Sequence, residues 1–288
     1  MTVVVGYRAG DIGLSGLHLA VRFARTLHTS LTVATIAPKP WLTRADTRDD
    51  RWSDGLAAQS AGEATRYLRD VAEGVEVVCV DRAHRSVSGG LLEVVEDVGA
   101  DVLVLGSLPS GGRAGVVIGS TADWLLHASP VPVAIGPREY HSGTGALTRL
   151  TCAYPATPDT LDVVRSCVEL GDRFAVPVRV VTFAVRGKTM YPPEVGIGAE
   201  DSILQAWASQ ARAVLEGLKT DGIVGDDVVL QVVTGSSWRE ALEKADWREG
   251  DILALGTRSR GDIRRVFLGS HSGKIIRESP VPVLVLPG

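Results

Sequence analysis

The sequence predicts an α/β protein built from two tandem five-stranded doubly wound units, each with a parallel sheet. Its 288 residues suggest about two domains at the usual domain sizes. The second half of the chain repeats the first. In both halves, short and nearly continuous apolar runs alternate with helical patterns, which is typical of a parallel sheet covered by helices on both faces.

The internal repeat is clearest towards the end of each half. DVLVLGSLPSGGRAGVVIGSTADWLLHASPVPVAIGP, from Asp101, aligns without a gap with DILALGTRSRGDIRRVFLGSHSGKIIRESPVPVLVLP, from Asp251, at an offset of 150. Near the start of each half the offset is 147, which pairs LTVATI with VRVVTF. A period this long indicates two whole domains rather than a solenoid. We predict domains over 1–140 and 147–288, joined by the polar linker REYHSGTGALT.

Each half shows the same order of elements. In the first half VVVGY, LTVATI, VEVVCV, DVLVLG and VPVAIG are short apolar runs, which predict five strands. Apolar residues at helical spacing predict helices over 14–24, about 50–71 and 91–98, and a further helix opens after Gly119 and Ser120. Because the second half repeats this order, we expect one doubly wound sheet in each half.

The last strand of each half carries two prolines at alternate positions. They are Pro130 and Pro132 in the first half and Pro280 and Pro282 in the second. Because proline cannot donate to a neighbouring strand, such residues belong at a sheet edge or at the start of a strand. Two equivalent apolar edges in one chain can pair with each other. We therefore expect a pseudo-dimer about a pseudo-two-fold axis through these strands; the alternative is that a helix covers each edge.

Composition excludes several classes of partner. A formal charge of −4 does not suit the binding of nucleic acid or of an anionic membrane. No apolar run approaches the roughly 18–20 residues of a membrane span, and the N-terminus meets Arg8 too early for a secretory signal. Three widely spaced cysteines fit neither a disulfide framework nor a zinc site. We therefore expect a soluble cytoplasmic protein.

The strongest candidate site follows the fourth strand, where open α/β sheets bind their ligands. A glycine-containing loop runs there over 106–120 in the first half and over 256–270 in the second. Such a loop can direct backbone N–H groups and a helix N-terminus at a phosphate group. Composition alone leaves an alternative open, in which the serines are only N-caps and the glycines only turn residues.

Other motifs are weaker candidates. Gly10, Gly13 and Gly16 follow the first strand but lack the G-x-G pair of a dinucleotide-binding loop. GSHSGK resembles a Walker loop but has three residues between its glycines, and Ile275 where serine or threonine is needed. The histidines have no metal-ligand spacing. The sequence contains no recognisable set of nucleophile, base and orienting residue, so we expect no catalytic residues and no enzyme activity.

The pattern of strand, G–x2–G–x9–G–S/T, helix and SPVPV resembles the universal stress protein family, and its tandem two-domain members in particular. RVFLGSHSGKIIRESPVPVLVLPG and IGSTADWLLHASPVPVAIGP carry most of the similarity, which extends over nearly the whole chain. The resemblance implies a Rossmann-like fold. Many members resembling this pattern bind ATP with a divalent cation such as Mg²⁺. Others do not, and act as stress-responsive regulatory proteins without known catalysis.

The resemblance also implies the residues of an adenine-nucleotide site. These are Gly106, Gly119 and Ser120 in the first half, and Gly256, Thr257, Arg258, Gly261, Gly269, Ser270, His271 and Ser272 in the second. The family's second loop glycine is replaced by Pro109 and Ser259. The aspartate that usually ends the first strand is replaced by Arg8 and Pro155. Because proline lacks an N–H donor and arginines surround the second loop, we expect the nucleotide in the second half.

Three functional hypotheses follow from these observations. The first is a regulatory stress protein whose second domain binds ATP or another adenine nucleotide as an effector. The second is a nucleotide-free protein that acts through contacts with unidentified protein partners. The third and weakest is an ATP-hydrolysing enzyme, because no residue is recognisable as base or nucleophile. Association of two chains into a homodimer is left open by the residues.

Overall fold

The computed structural model describes residues 1–10, 13–39, 47–108, 115–143, 145–157, 160–185, 197–257 and 272–287. The strands in these segments are β1 (Val3–Gly6), β2 (Leu31–Pro38), β3 (Val77–His84), β4 (Val102–Gly106), β5 (Val133–Gly136), β6 (Arg149–Ala153), β7 (Val178–Val185), β8 (Val229–Gly235), β9 (Asp251–Gly256) and β10 (Val283–Leu286). The helices are α1 (Leu14–Leu27), α2 (Thr47–Val71), α3 (Val87–Val98), α4 (Ser120–Ala128), α5 (Leu161–Phe174), α6 (Ile197–Thr220), α7 (Trp238–Glu243) and α8 (Ser272–Glu278).

All the described strands lie in one sheet of ten, in the order β3-β2-β1-β4-β5-β10-β9-β6-β7-β8. Strands β1 to β5 are parallel to one another, and so are β6 to β10. Only the central pair of β5 and β10 is antiparallel. The prediction of two doubly wound five-stranded units is therefore confirmed.

The central pair of strands relates the two halves by pseudo-two-fold symmetry. Ala134 pairs with Leu284, and these residues are equivalent at the offset of 150. The pseudo-two-fold axis therefore passes through this pair, which confirms the predicted pairing of the two edges. The prolines stand just before β5 and β10, and the carbonyl groups of Pro132 and Pro282 accept from Leu103 and Leu253. Proline is tolerated there because only its carbonyl group is needed.

Local sequence explains where several helices begin and end. The Ser86 and Ser237 hydroxyls accept from the third residue after them, Gly89 and Glu240, and so cap α3 and α7. Gly99 follows α3 in the left-handed conformation, with φ of 59°, which costs glycine little. These caps define the ends of α3 and the beginning of α7, the helices that lead to the parallel strands β4 and β9.

Helices cover both faces of the sheet. On one face α1, α2, α5 and α6 contribute to a single apolar core, and α3, α4, α7 and α8 cover the other. Helices α1 and α5 meet near the centre of their face, where the rings of Phe23 and Phe174 pack edge to face at 5.9 Å between centroids. None of the described helices is long and apolar enough to cross a membrane.

Candidate functional site

The strand order places a switch point in each half. In the first half β1 lies between β2 and β4, so the loops after β1 and β4 open on opposite sides of the same crevice. In the second half β6 lies between β7 and β9 and creates the equivalent crevice. Among the predicted site residues, Gly106 ends β4 and Gly256 ends β9, next to these crevices.

In the first half, the end of β4 packs directly on the first turn of α1. A Cβ atom on Gly106 would lie 2.6 Å from the Gly13 Cα, and one on Gly16 would lie 2.7 Å from the Gly106 backbone nitrogen. Gly13 also has φ of 112°, which side chains rarely allow. Glycine is therefore required at these positions for the helix to approach the sheet, and this packing alone accounts for Gly106.

The second part of the first-half loop is covered by an apolar side chain. A Cβ atom on Gly119 would lie 2.8 Å from Leu108 Cδ1. Gly119 is the N-cap residue of α4, and Ser120 is its exposed first residue. The alternative interpretation of Ser120 as the N-cap is therefore wrong. The Ser107 hydroxyl accepts from the Val117 amide at 2.7 Å and ties the two ends of the loop together.

The loop after β1 is held by side chains of α2. The Ala9 amide donates to Ser60 Oγ at 3.0 Å, and the Gly10 amide donates to Glu63 Oε1 at 3.0 Å. The Tyr7 hydroxyl donates to the same carboxylate oxygen at 2.9 Å. The bonds from Gly10 and Tyr7 hold the pKa of Glu63 below its usual range. Two amides at this switch point are thus already bonded to the protein itself.

The second half differs from the first at its equivalent crevice. A Cβ atom on Gly256 would lie 2.8 Å from Val163 Cβ, and Val163 stands where the first half has Gly16. The Thr257 hydroxyl donates to the Leu286 carbonyl at 2.9 Å, and Ser272 is the half-buried first residue of α8. Five predicted site residues lie outside the described residues, namely Arg258, Gly261, Gly269, Ser270 and His271.

The loop after β6 is held by bonds within itself. The Tyr154 hydroxyl donates to the Thr157 carbonyl at 3.2 Å, and the Thr160 hydroxyl donates to the same carbonyl at 2.8 Å. Pro155 is exposed directly after the buried Tyr154, as Arg8 is after Tyr7 in the first half. Both of these bonds stay within the loop, whereas the Ala9 and Gly10 amides of the loop after β1 are bonded to side chains of α2.

Sequence reasoning missed three residues that shape the two crevices, which are Glu63, Leu108 and Val163. Glu63 belongs to an amphipathic helix with several acidic residues, so no pattern singles it out. The replacement of Gly16 by Val163 is visible in the repeat at the offset of 147 and could have been noticed. In the described part of the chain no group of three or more His, Cys, Asp or Glu side chains is arranged to hold a metal ion.

Comparison with known proteins supports the repeat and the fold. The family model described as "Universal stress protein family" matches residues 1–137 and again 147–287. "Universal stress protein Rv2319c" of Mycobacterium tuberculosis is 64% identical over 292 residues, covering 100% of both chains, and so is "Universal stress protein Mb2346c" of Mycobacterium bovis. A solved universal stress protein from Archaeoglobus fulgidus shares the fold at a TM-score of 0.62 and 15% identity, covering 99% of this chain and 98% of its own. This chain belongs to the universal stress protein family, as a member with two tandem domains.

Proposed function

We propose that this chain is a non-catalytic regulatory protein of the stress response whose second domain binds ATP or another adenine nucleotide as an effector. The domains of the proposal are 1–140 and 147–288. The observation that carries it is that two amides of the loop after β1 are bonded to side chains of α2, whereas the sequence of the second-half loop is rich in arginine. Protein partners would respond to the nucleotide-bound form of the chain.

In the described part of the first crevice, the amides of the loop after β1 are already bonded to other groups of the protein. Anion sites of this kind depend on backbone N–H groups that have no other acceptor. Ser60 and Glu63 already accept from the amides of Ala9 and Gly10, and the Glu63 carboxylate would repel a phosphate. Leu108 contacts the position that a phosphate would approach at Gly119. These contacts argue against a nucleotide in the first domain.

The sequence of the second-half loop supports a nucleotide site there. The loop contains four arginines, Arg258, Arg260, Arg264 and Arg265, and Ser259 retains the N–H group that Pro109 lacks in the first half. Val163 provides an apolar wall against which a purine base could pack. Mg²⁺, where it accompanies ATP, would be held mainly by the phosphates, since magnesium is usually bound with substrate phosphates.

Matched glycine variants test the site. Gly269→Val should abolish binding of Mg-ATP in isothermal titration calorimetry, because the branched side chain would block close approach of a phosphate to the backbone. Gly119→Val is the control and should leave the affinity unchanged, with circular dichroism confirming that both variants fold. Unchanged affinity in Gly269→Val would refute the proposed site in the second half. Loss of binding in Gly119→Val would show that the nucleotide binds in the first half instead.

A second candidate function, that of a nucleotide-free stress protein acting through protein contacts, is favoured by one observation. Val163 packs against Gly256, so an apolar side chain lies at the end of β9 where the first half has only the backbone of Gly16. If wild-type protein shows no binding at millimolar Mg-ATP, the chain is better described as a nucleotide-free stress protein that acts through protein contacts. Val163→Gly would then be the variant in which binding could be recovered.

A further inference from the structure

The linker between the domains runs along the outer face of α1. We define it as residues 137–148, of which all but 144 are described. Its contacts follow the helix from one end to the other. They pair Ser15 with Gly136 just before the linker, His18 with Ser142, Arg22 with Tyr140, Arg25 with Gly143, and Thr26 with Leu147. The linker therefore covers the helix face that would otherwise be the outer surface of the first domain.

His18 is at the centre of this contact and is only 5% exposed. Its Nε2 atom is 2.6 Å from the Tyr67 hydroxyl of α2, and its Nδ1 atom is 3.2 Å from the Ser142 hydroxyl of the linker. A neutral imidazole satisfies both bonds, because each hydroxyl can either donate or accept. The ring of His141, also in the linker, lies 4.9 Å away between centroids.

The charges around His18 oppose a second proton on its ring. Arg22, one turn further along α1 and 1% exposed, is bonded to Glu249 of the second half at 2.9 Å. Arg25 donates to carbonyl groups of Val71 in α2 and Gly143 in the linker. No carboxylate among the described residues is hydrogen-bonded to His18. Burial, followed by repulsion from His141 and Arg22, lowers the pKa of His18 to about 4.

The contact between the linker and α1 also contains buried polar atoms that make no hydrogen bond to the described residues. Arg22 Nε and the Tyr140 hydroxyl are both buried without a hydrogen-bond partner among the described residues. The pairing of β5 with β10 joins the two halves independently of the linker. Loss of the linker contact would therefore leave the two halves joined through this strand pair.

We propose that the linker is an acid-released latch, in which protonation of His18 detaches it from α1 and exposes the covered face of that helix. A neutral His18 bridges α2 and the linker, whereas a charged His18 faces Arg22 and His141 without a compensating carboxylate. Once the linker has left, the ring is solvated and accepts the proton without this penalty. Acidification therefore favours the open latch.

Hydrogen exchange of the full chain between pH 7.5 and 4.5, corrected for intrinsic exchange rates, tests the latch. Uptake of one proton on opening increases the opening equilibrium about tenfold per pH unit between roughly pH 6.5 and 4. Protection of the Leu147 amide, which donates to Thr26, should fall accordingly, while amides of β5 and β10 stay protected. Protection of the linker that does not change with pH would overturn the proposal.

Three variants assign the effect to His18. His18→Gln keeps a polar side chain that cannot be protonated and should abolish the pH dependence. His141→Gln, at an exposed position, removes one repelling group and should weaken the dependence without risk to the fold. His28→Asn is the control, because His28 is an exposed left-handed C-cap residue of the same helix that asparagine tolerates. An unaltered pH dependence in both His18→Gln and His141→Gln would exclude His18 as the trigger.

Discussion

The first helices of the two halves, α1 and α5, occupy the same place in the repeat but have different surroundings. Twelve of the 14 residues of α1 are buried, against five of the 14 residues of α5. Glycines let α1 approach the sheet, and the linker covers its outer face. Residues of α5 on the equivalent face, such as Arg165, Glu169 and Asp172, are exposed.

This difference shows how a duplicated domain becomes asymmetric. The linker connects the end of β5 to the start of β6, and its contacts follow α1 from Ser15 to Thr26. The second half has no internal linker to place on α5. Positions equivalent by sequence therefore came under different physical constraints, and their substitutions should have unequal effects.

Substitutions at Gly16 and Val163, which set the distance between helix and sheet in their halves, should give the largest difference in the free energy of unfolding. Gly16→Val places a branched side chain against the Gly106 backbone, and overpacking of this kind costs up to about 3 kcal/mol of the free energy of unfolding. Val163→Ala in α5 removes only part of a half-buried side chain and should cost about 1 kcal/mol. Urea denaturation measures both, and equal losses would contradict the comparison.

The equivalent aspartates at the starts of β4 and β9 provide the next test. The Asp251 side chain is fully buried and accepts from Arg149 Nε at 3.1 Å and from the Arg248 amide. Asp101 is partly exposed and is paired with Arg173 of α5 at 2.6 Å. Asp251→Asn should therefore destabilise the fold by about 3 kcal/mol, and Asp101→Asn by about 1 kcal/mol or less.

Thermal unfolding at a series of pH values would check this order. The transition of Asp251→Asn should occur well below that of Asp101→Asn at pH 7. A larger loss in Asp101→Asn would show that the contact between the halves at Arg173 matters more than the buried pair within the second half.

The pH dependence of the free energy of unfolding should also differ between equivalent positions of α1 and α5. His18 has a pKa of about 4 in the folded protein and an ordinary value of 6.5, so the unfolded chain binds more protons between these limits. Its contribution is complete above about pH 6.5 and is lost as the pH falls towards 4, by at most about 3 kcal/mol. The equivalent residue of α5 is Arg165.

Urea denaturation at pH 7 and pH 4.5 measures this contribution. Wild-type protein should lose more stability on acidification than His18→Gln. An Arg165→Gln variant, in contrast, should show the wild-type pH dependence. Identical slopes for wild type and His18→Gln would contradict the assignment.

The smallest effect is expected where the two helices meet. Phe23 of α1 and Phe174 of α5 pack edge to face, and such a pair contributes about 1 kcal/mol beyond the area it buries. A double-mutant cycle with Phe23→Leu and Phe174→Leu should give a coupling energy of this size. A coupling near zero would mean that this aromatic pair adds nothing to the contact between the halves.

The sequence predicted the parts of the fold that rest on periodicity and on the repeat. Apolar strand patterns indicated the doubly wound units, and the prolines before β5 and β10 indicated the central antiparallel pair. Gly13 and Gly16 were considered only as a weak dinucleotide pattern, and the structure shows that they allow close packing of α1.

The lining of the crevices could not be predicted in the same way. Glu63 contacts the Gly10 amide across 53 residues of chain, and Leu108 contacts Gly119 across a loop. Both contacts depend on how elements pack in three dimensions, which local pattern does not record. The position of the linker on α1 depends likewise on contacts between residues far apart in the chain, such as that of Thr26 with Leu147.

The most direct test of the asymmetry between the two crevices is native mass spectrometry of the full chain with and without Mg-ATP. We predict a mass increase of one nucleotide per chain, because Glu63 and Leu108 occupy space beside the first-half loops, and we propose the second-half loop as the nucleotide site. Two nucleotides per chain would contradict the assignment of a single site to the second half. No mass shift at millimolar Mg-ATP would contradict the proposed effector site itself.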